Sequence, residues 1–353
     1  MNGSINKIFT FLRVIFIFPH KRRKLCYFVK EPELNGRSGF VIAPFAPSTD
    51  KPILLVPTQW ETIEPSELHT LVSATDNTQL SATLNSCDCN AERTQYNADF
   101  NRFHAELKAG RFAKIVLARS TRLTATAHLS ALTLFARACQ RYPRMFIALY
   151  STKRSGTWLV ATPETLIGGH CGQMHTMALA GTMRPGTGEW SEKNRREQKY
   201  VETYITDCVK QFSDDITVEG PYTTYAADLQ HLRSDILFSM NDASLLGNVV
   251  DALHPTPAVC GIPKDETRRF IIDNESQPRG YYSGFAGPFN PNSDTHLFVT
   301  LRCMHIESEA EDSAVYRLFA GGGLLKDSTE HDEWNETEAK MNTIRKLFDY
   351  VQQ

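Results

Sequence analysis

An α+β fold, with large and mainly antiparallel β-sheets flanked by helices, is the class this sequence predicts, and three observations lead to it. Short β-type runs such as Gly39-Phe-Val-Ile-Ala43 and Lys114-Ile-Val-Leu-Ala-Arg119 recur along the chain, the earlier ones bounded by Gly, Pro and Asn. They adjoin one another without the regular strand–helix–strand alternation from which parallel sheets are built. No fixed-period repeat and no low-complexity block interrupts them. With 353 residues, the chain can bury one large core or two ordinary ones.

Taken in order, the chain starts with an apolar stretch, Ile8 to Phe18, broken by Thr10 and Arg13 and followed by Pro19-His-Lys-Arg-Arg-Lys24. Such a stretch is too short to span a bilayer. Its basic residues follow the apolar ones and no small-residue cleavage site is present, which is the wrong order for a secretory signal. Residues 1–24 are expected to be an appendage without chemistry, a weak basic surface anchor being the alternative. Residues 25–353 read as one unit. Its first part, 25–100, holds strands at Leu25-Cys-Tyr-Phe-Val29, Gly39–Ala43 and Ile53-Leu-Leu-Val56, then a polar, loop-rich excursion from 60 to 100. In 101–353 a helix from Phe100 to Leu107 ends near Gly110, and Lys114–Arg119 is a strand. Helices follow at Leu129–Arg141, Ser191–Phe212 and Asp242–Leu253. Strands are expected at Met145–Tyr150, Trp158–Ala161, Gly280–Phe289, His296–Ile306 and Ala314–Phe319.

Composition narrows the function classes. A net charge of -2 gives no electrostatic case for nucleic acid or an anionic membrane. The eight cysteines contain no CxxC pair, Cys87-x-Cys89 being the sole close spacing, and no histidine cluster completes a zinc site. A reduced, cytoplasmic protein is expected.

The stretch richest in chemistry is Arg317-Leu-Phe-Ala-Gly-Gly-Gly323, which runs through a polar loop into a helix. Gly321, Gly322 and Gly323 remove every Cβ at a strand end, so an anionic group can approach bare backbone N–H groups. On the helix, Glu333, Glu336 and Lys340 share one flank beside the apolar stripe of Trp334, Met341, Ile344 and Phe348. A solvated charged flank is the plain alternative, and the adjoining glycines favour a metal-assisted grip on a carboxylate or phosphate. Four further positions stand out. Lys114 shares a strand face with Val116 and Ala118, where it either snorkels or, if enclosed, acts as a base. Glu164 follows Pro163 at a strand end, as helix-start acid or as a proton donor. Glu197 falls within the apolar stripe of Val201, Tyr204, Ile205, Cys208 and Phe212, so it needs a cation, from a side chain or a metal. Arg302 alternates with Phe298, Thr300, Met304 and Ile306 and wants a carboxylate partner. Together these groups describe a small, multiply anionic substrate undergoing proton-coupled addition or elimination.

Lys114–Arg119, Thr162-Pro-Glu164, Leu179-Ala-Gly-Thr182, His254-Pro-Thr-Pro-Ala258, Arg279-Gly-Tyr-Tyr-Ser-Gly284, Thr300-Leu-Arg302 and the glycine stretch with Glu333-Trp-Asn-Glu336 occur in the order found in chorismate-utilizing enzymes. Over roughly residues 100 to 350 the chain resembles that family, most closely its isochorismate synthases. The resemblance makes 25–100 a variable β-rich part and 101–353 the catalytic core. It implies the anthranilate synthase component I-like fold, chorismate as substrate and Mg²⁺ as cofactor, held by Glu197 and Glu336. It implies that Arg302, Tyr282 and the backbone at Gly321 and Gly322 grip the enolpyruvyl carboxylate. Gly181, Thr182, His254, Ala258 and Lys340 match other pocket positions. Lys114 matches the base that activates water for attack at C2, and Glu164 the acid that protonates the departing C4 hydroxyl.

Within the resemblance, Lys114 separates this chain from anthranilate and aminodeoxychorismate synthases, which typically lack that lysine, so no glutamine amidotransferase subunit is expected. Salicylate synthases keep the lysine and add pyruvate elimination, and tend to carry threonine at the place of Ala258. Ala258 therefore points to release of isochorismate, with menaquinone supply as the preferred use. A salicylate synthase and a non-catalytic chorismate-binding homologue are the alternatives, the second disfavoured by intact Lys114, Glu164, Glu197 and Glu336.

Overall fold

The computed structural model describes residues 13–17, 25–27, 34–46, 53–55, 84–86 and 89–348, except 126–128, 153, 187 and 311–312. The chain order begins β1 (Arg13–Ile17), β2 (Leu25–Tyr27), β3 (Gly39–Ala43), β4 (Ile53–Leu55), β5 (Leu84–Ser86), α1 (Cys89–Lys108), β6 (Lys114–Ala125) and α2 (Ala131–Arg141). It continues through β7 (Phe146–Thr152), β8 (Gly156–Thr162), β9 (Thr165–His170), β10 (Gln173–Met183), α3 (Glu192–Val209), β11 (Asp215–Ala226), β12 (Leu229–Ser239) and α4 (Leu246–Leu253). It closes with β13 (Gly261–Ile262), α5 (Lys264–Asn274), β14 (Phe285–Phe289), β15 (Asp294–Val299), β16 (Cys303–Ala310), β17 (Ser313–Leu324) and α6 (Glu330–Arg345).

These strands form two sheets. The first runs β1-β7-β8-β16-β17-β6-β13, with β5 also on β6, and the second runs β11-β12-β10-β9-β15-β14-β3-β4-β2. Every pairing among the described residues is antiparallel except that of β1 with β7. The α+β class with mainly antiparallel sheets and outer helices is therefore what the chain adopts.

The two sheets face each other. Phe146 of β7 stacks on Phe298 of β15 with centroids 4.1 Å apart. Around them Phe40, Ile42, Tyr150, Val160, Cys303 and Phe319 close the inner layer. Outside the second sheet, Val201, Ile205 and Val209 of α3 and Val249, Val250 and Leu253 of α4 pack on Ala178, Ala180 and Leu166. Outside the first, Leu134, Phe135 and Ala138 of α2 meet Ile147, Leu149 and Leu159. Each of the Val, Ile, Leu and Phe side chains among them contributes about 1.5–3 kcal/mol by leaving water, so the α3 stripe of Val201, Ile205 and Val209 fixes the face that Glu197 presents. Ser191 and Thr329 cap α3 and α6, accepting from the backbone N–H groups of Asn194 and Asp332 at 3.2 Å.

Several expectations need correction. Helix α1 begins at Cys89, well before Phe100, because its buried residues Tyr96, Phe100, Phe103 and Leu107 form a sparse stripe in a polar sequence. Helix α5 went unanticipated for a similar reason, only Thr267 and Ile271 being buried. The β11–β12 hairpin escaped notice because nearly all of β11 is exposed on both faces. The single strand expected from His296 to Ile306 is two strands in different sheets, with Thr300, Leu301 and Arg302 between them. Arg302 has φ +47, a left-handed turn that ends the alternation assumed across it. Most of the excursion expected at 60–100 lies outside the described residues.

Candidate active site

The site grows from a corner where the chain crosses between sheets twice. β8 passes into β9 through Pro163 and Glu164, and β15 passes into β16 through Thr300, Leu301 and Arg302. The two crossings are pinned side by side, since Val299 N–H donates to Glu164 O and Ala161 N–H to Arg302 O, both at 3.0 Å. Glu164 and Arg302 thereby become neighbours although 138 positions apart (302 - 164). Both line a cleft enclosing about 610 Å³ of empty space, part of it open to solvent.

Glu164 is 3% exposed. Burial pushes its carboxyl up to about 8, against the opposing pull of Lys114, Lys340 and Arg302. At neutral pH it therefore carries its proton. Arg302 Nη2 donates to His231 Nε2 at 3.0 Å, and His231 Nδ1 lies 2.9 Å from Gly181 O. Because a guanidinium only donates, Nε2 must accept and Nδ1–H must donate to the carbonyl. Burial, and then Arg302 and Lys340, hold the His231 ring down to about 3, so it is neutral. Gly181 sits at a register break in β10 with φ +72, which aims its carbonyl at His231.

The opposite wall is the end of β17. A Cβ on Gly323 would lie 2.0 Å from Glu197 Oε1 and 2.8 Å from Lys114 Cε. One on Gly322 would lie 2.6 Å from Glu333 Oε2 and 3.9 Å from Glu336 Oε1. The glycines thus make room for Glu197 and Glu333, with Glu336 in ordinary contact beside them. Each has its own ammonium: Lys114 for Glu197 at 3.0 Å, Lys193 for Glu333 at 2.5 Å and Lys340 for Glu336 at 2.6 Å. The Lys114–Glu197 contact has the distance of an ion pair without the geometry of a hydrogen bond. Burial, and then Glu336, push Glu333 up to about 7. Glu336 lies below the usual carboxylate range because Lys340 outweighs its burial.

Of the residues singled out in the sequence, Glu164, Gly181, Thr182, Glu197, Ala258, Tyr282, Arg302, Gly321 and Lys340 line the cleft. Lys114 is wholly buried behind Glu197, and Gly322 and Glu336 stand one layer back. His254 is outside the lining, its buried ring edge-on to Phe285 at 4.9 Å. His231 and Lys193 were not foreseen. Recognising β12 as a strand would have placed His231 beside Thr182, its register partner.

Residues 40–349 match the family described as chorismate binding enzymes. The chain belongs to that family. It is 32% identical over 260 residues to isochorismate synthase DhbC of Bacillus subtilis, covering 68% of this chain and 64% of that protein. The chain therefore spans less than two thirds of that relative's length. The structure of MenF, the menaquinone-specific isochorismate synthase of Escherichia coli, superposes with a TM-score of 0.74 at 23% identity, covering 92% of this chain and 84% of the other. Anthranilate synthase component I of Streptococcus pneumoniae gives 0.63 at 16% identity, covering 91% and 80%. At these identities the two structures speak to the fold, which is that of chorismate-binding enzymes.

Members of this family generally use Mg²⁺, and the residues here fit such an ion. Among the described residues no three His, Cys, Asp or Glu side chains close on one point as a complete cage. Mg²⁺ keeps several waters and asks for one or two carboxylates plus substrate oxygens. Glu197, whose Oε1 lies 2.0 Å from where a Cβ on Gly323 would stand, and Glu336, 3.9 Å from one on Gly322, are the carboxylates that would serve such an ion.

Proposed function

We propose that this chain is an isochorismate synthase, converting chorismate to isochorismate by addition of water at C2 and loss of the C4 hydroxyl. The observation that carries the reading is Glu164, which holds a proton near neutral pH inside a cleft walled by Arg302 and Lys340. Hydroxide is a poor leaving group, so a carboxylic acid kept neutral by burial is what its departure requires.

Arg302, oriented by His231, pairs with the enolpyruvyl carboxylate, and the Gly321 backbone and Tyr282 complete that end of the cleft. Glu197 and Glu336 would hold Mg²⁺, which would supply positive charge for the ring carboxylate. Lys114, reached past Gly323, takes the proton of the water whose oxygen bonds to C2. Both ring double bonds shift together, C1=C2 to C6=C1 and C5=C6 to C4=C5, as the C4–O bond breaks, and Glu164 gives its proton to that oxygen, which leaves as water. One water enters and one leaves, so the reaction is an isomerisation. A proton returning from Lys114 to Glu164 resets the pair. Because water is the nucleophile, no ammonia-delivering partner is needed.

Ala258 in the cleft wall supports release of isochorismate with its side chain intact, since a methyl offers no hydrogen bond to hold the ether for elimination. Incubation with chorismate and Mg²⁺, followed by chromatographic identification of the product, tests the reading. Isochorismate in balance with chorismate is expected. Stoichiometric pyruvate and salicylate would overturn it in favour of a salicylate synthase, and binding without turnover in favour of a non-catalytic homologue.

A further inference from the structure

The pair Lys193–Glu333 has no part in that proton transfer, yet it holds the most enclosed carboxylate of the wall. Glu333, from the first turn of α6, is 1% exposed. Its Oε1 accepts from Lys193 Nζ at 2.5 Å and from Ser328 Oγ at 2.7 Å. Its Oε2 is buried without a partner and faces the bare Cα of Gly322, on the side where Glu336 stands. Lys193 comes from the first turn of α3, four positions before Glu197 (197 - 193). Burial would lower its pKa, but Glu333, Glu336 and Glu197 together outweigh burial and hold its charge in place.

Lys340 lines the cleft and also donates to Gly321 O at 2.9 Å, and Lys114 lies against Glu197. Lys193 is outside the cleft lining, and its hydrogen bond goes to the carboxylate wall. A carboxylate as buried as Glu333 stays ionised only beside a cation, and the cation beside it here is Lys193. An ion held by Glu197 and Glu336 would share their negative field with the Lys193 ammonium, and the two cations would repel each other.

We propose that Lys193 is a built-in stand-in for the divalent cation: it neutralises Glu333 while no ion is bound, and it competes with an arriving ion for the carboxylate wall. The inference rests on the reading of that wall as a cation site. It makes Lys193 a positioning residue that keeps the metal-free chain folded and metal binding loose enough to reverse.

The test is Mn²⁺ titration of the full chain by calorimetry, with thermal melts in the presence and absence of the ion and no substrate. Lys193→Met is expected to melt lower than wild type without metal, and to regain most of the difference with Mn²⁺. It should bind Mn²⁺ roughly tenfold more tightly, the scale of one close like-charge contact removed. Lys193→Arg, which keeps the charge, should bind like wild type. If Lys193→Met fails to fold, the double variant Lys193→Met/Glu333→Gln, which buries no charge, should fold again and lack the tightened binding. Unchanged or weaker Mn²⁺ binding by Lys193→Met, or a double variant that also fails to fold, overturns the role of Lys193 alone. Absence of Mn²⁺ binding by wild type overturns the cation site itself and this inference with it.

Discussion

Glu164 carries its proton only while it is buried, and this gives the site a pH signature. Activity should decline above about pH 8 as Glu164 ionises, and Glu164→Gln should lose turnover while still binding chorismate. The same shift acts on stability. A carboxyl with its folded pKa raised from 4.5 to about 8 stabilises the fold fully below the lower value. That contribution is lost as pH rises through the upper one. Denaturant melts should therefore show Glu164→Gln gaining on wild type between pH 4.5 and 8. Arg302 tests binding. A charge-assisted hydrogen bond is worth about 1.5–3 kcal/mol, so Arg302→Ala should raise KM by roughly tenfold to a hundredfold with a smaller change in kcat. Ala258→Thr should increase pyruvate release in a coupled lactate dehydrogenase assay, since a hydroxyl there can hold the ligand for elimination; no increase would remove Ala258 from the product question.

At the scale of elements, the glycine end of β17 is the demanding part. Gly323→Ala would put a methyl 2.0 Å from Glu197 Oε1, forcing the carboxylate off its place. Displacing a proposed metal ligand should weaken the ion by about 10–100-fold, so the Mg²⁺ concentration for half-maximal activity should rise on that scale, and the melting temperature should fall because buried Lys114 loses its carboxylate. This element was legible in the sequence because its information is local: three glycines at a strand end, then acids at helical spacing. Helix α3 was legible for the same reason, its apolar stripe placing Glu197 inward. The Arg302 corner was not. Phe298 to Ile306 satisfies alternation throughout, and only tertiary context breaks it, because the chain must leave one sheet and join another. His231 was hidden by the exposed β11 beside it, and the pairing of Lys193 with Glu333 joins residues 140 positions apart (333 - 193).

At the scale of the molecule, two sheets packed face to face with helices outside leave the cleft at one corner of the sandwich. No helix among the described residues is long and apolar enough to cross a membrane. The N-terminal strand β1 lies parallel to β7 at the edge of the first sheet, on the far side from β6 and β13. The sequence could announce the class of this arrangement, since strand runs and helical stripes are short-range patterns, but not which strand borders which. The order in the sheets is fixed by packing between residues hundreds of positions apart, such as β14 with β3.

The paired crossings at Glu164 and Arg302 also tie local opening of the chain to the ligand. Four amides hold the corner: Ala161 to Arg302 O, Val299 to Glu164 O, Thr300 to Gly284 O and Ser283 to Thr300 O. Ala161 lies in the first sheet, Val299 in the second, and Ser283 and Thr300 in the segments between strands, so the four exchange with solvent only when the corner parts. A ligand gripped by Arg302 has to leave first, so its binding free energy is added to the free energy of opening. With substrate and product equilibrated at about a hundred times their Kd, deuterium uptake at these four amides should slow by about a hundredfold. The exposed edge strand β11 should exchange as before. Slowing spread evenly over both sheets would mean that the corner opens only when the whole molecule unfolds.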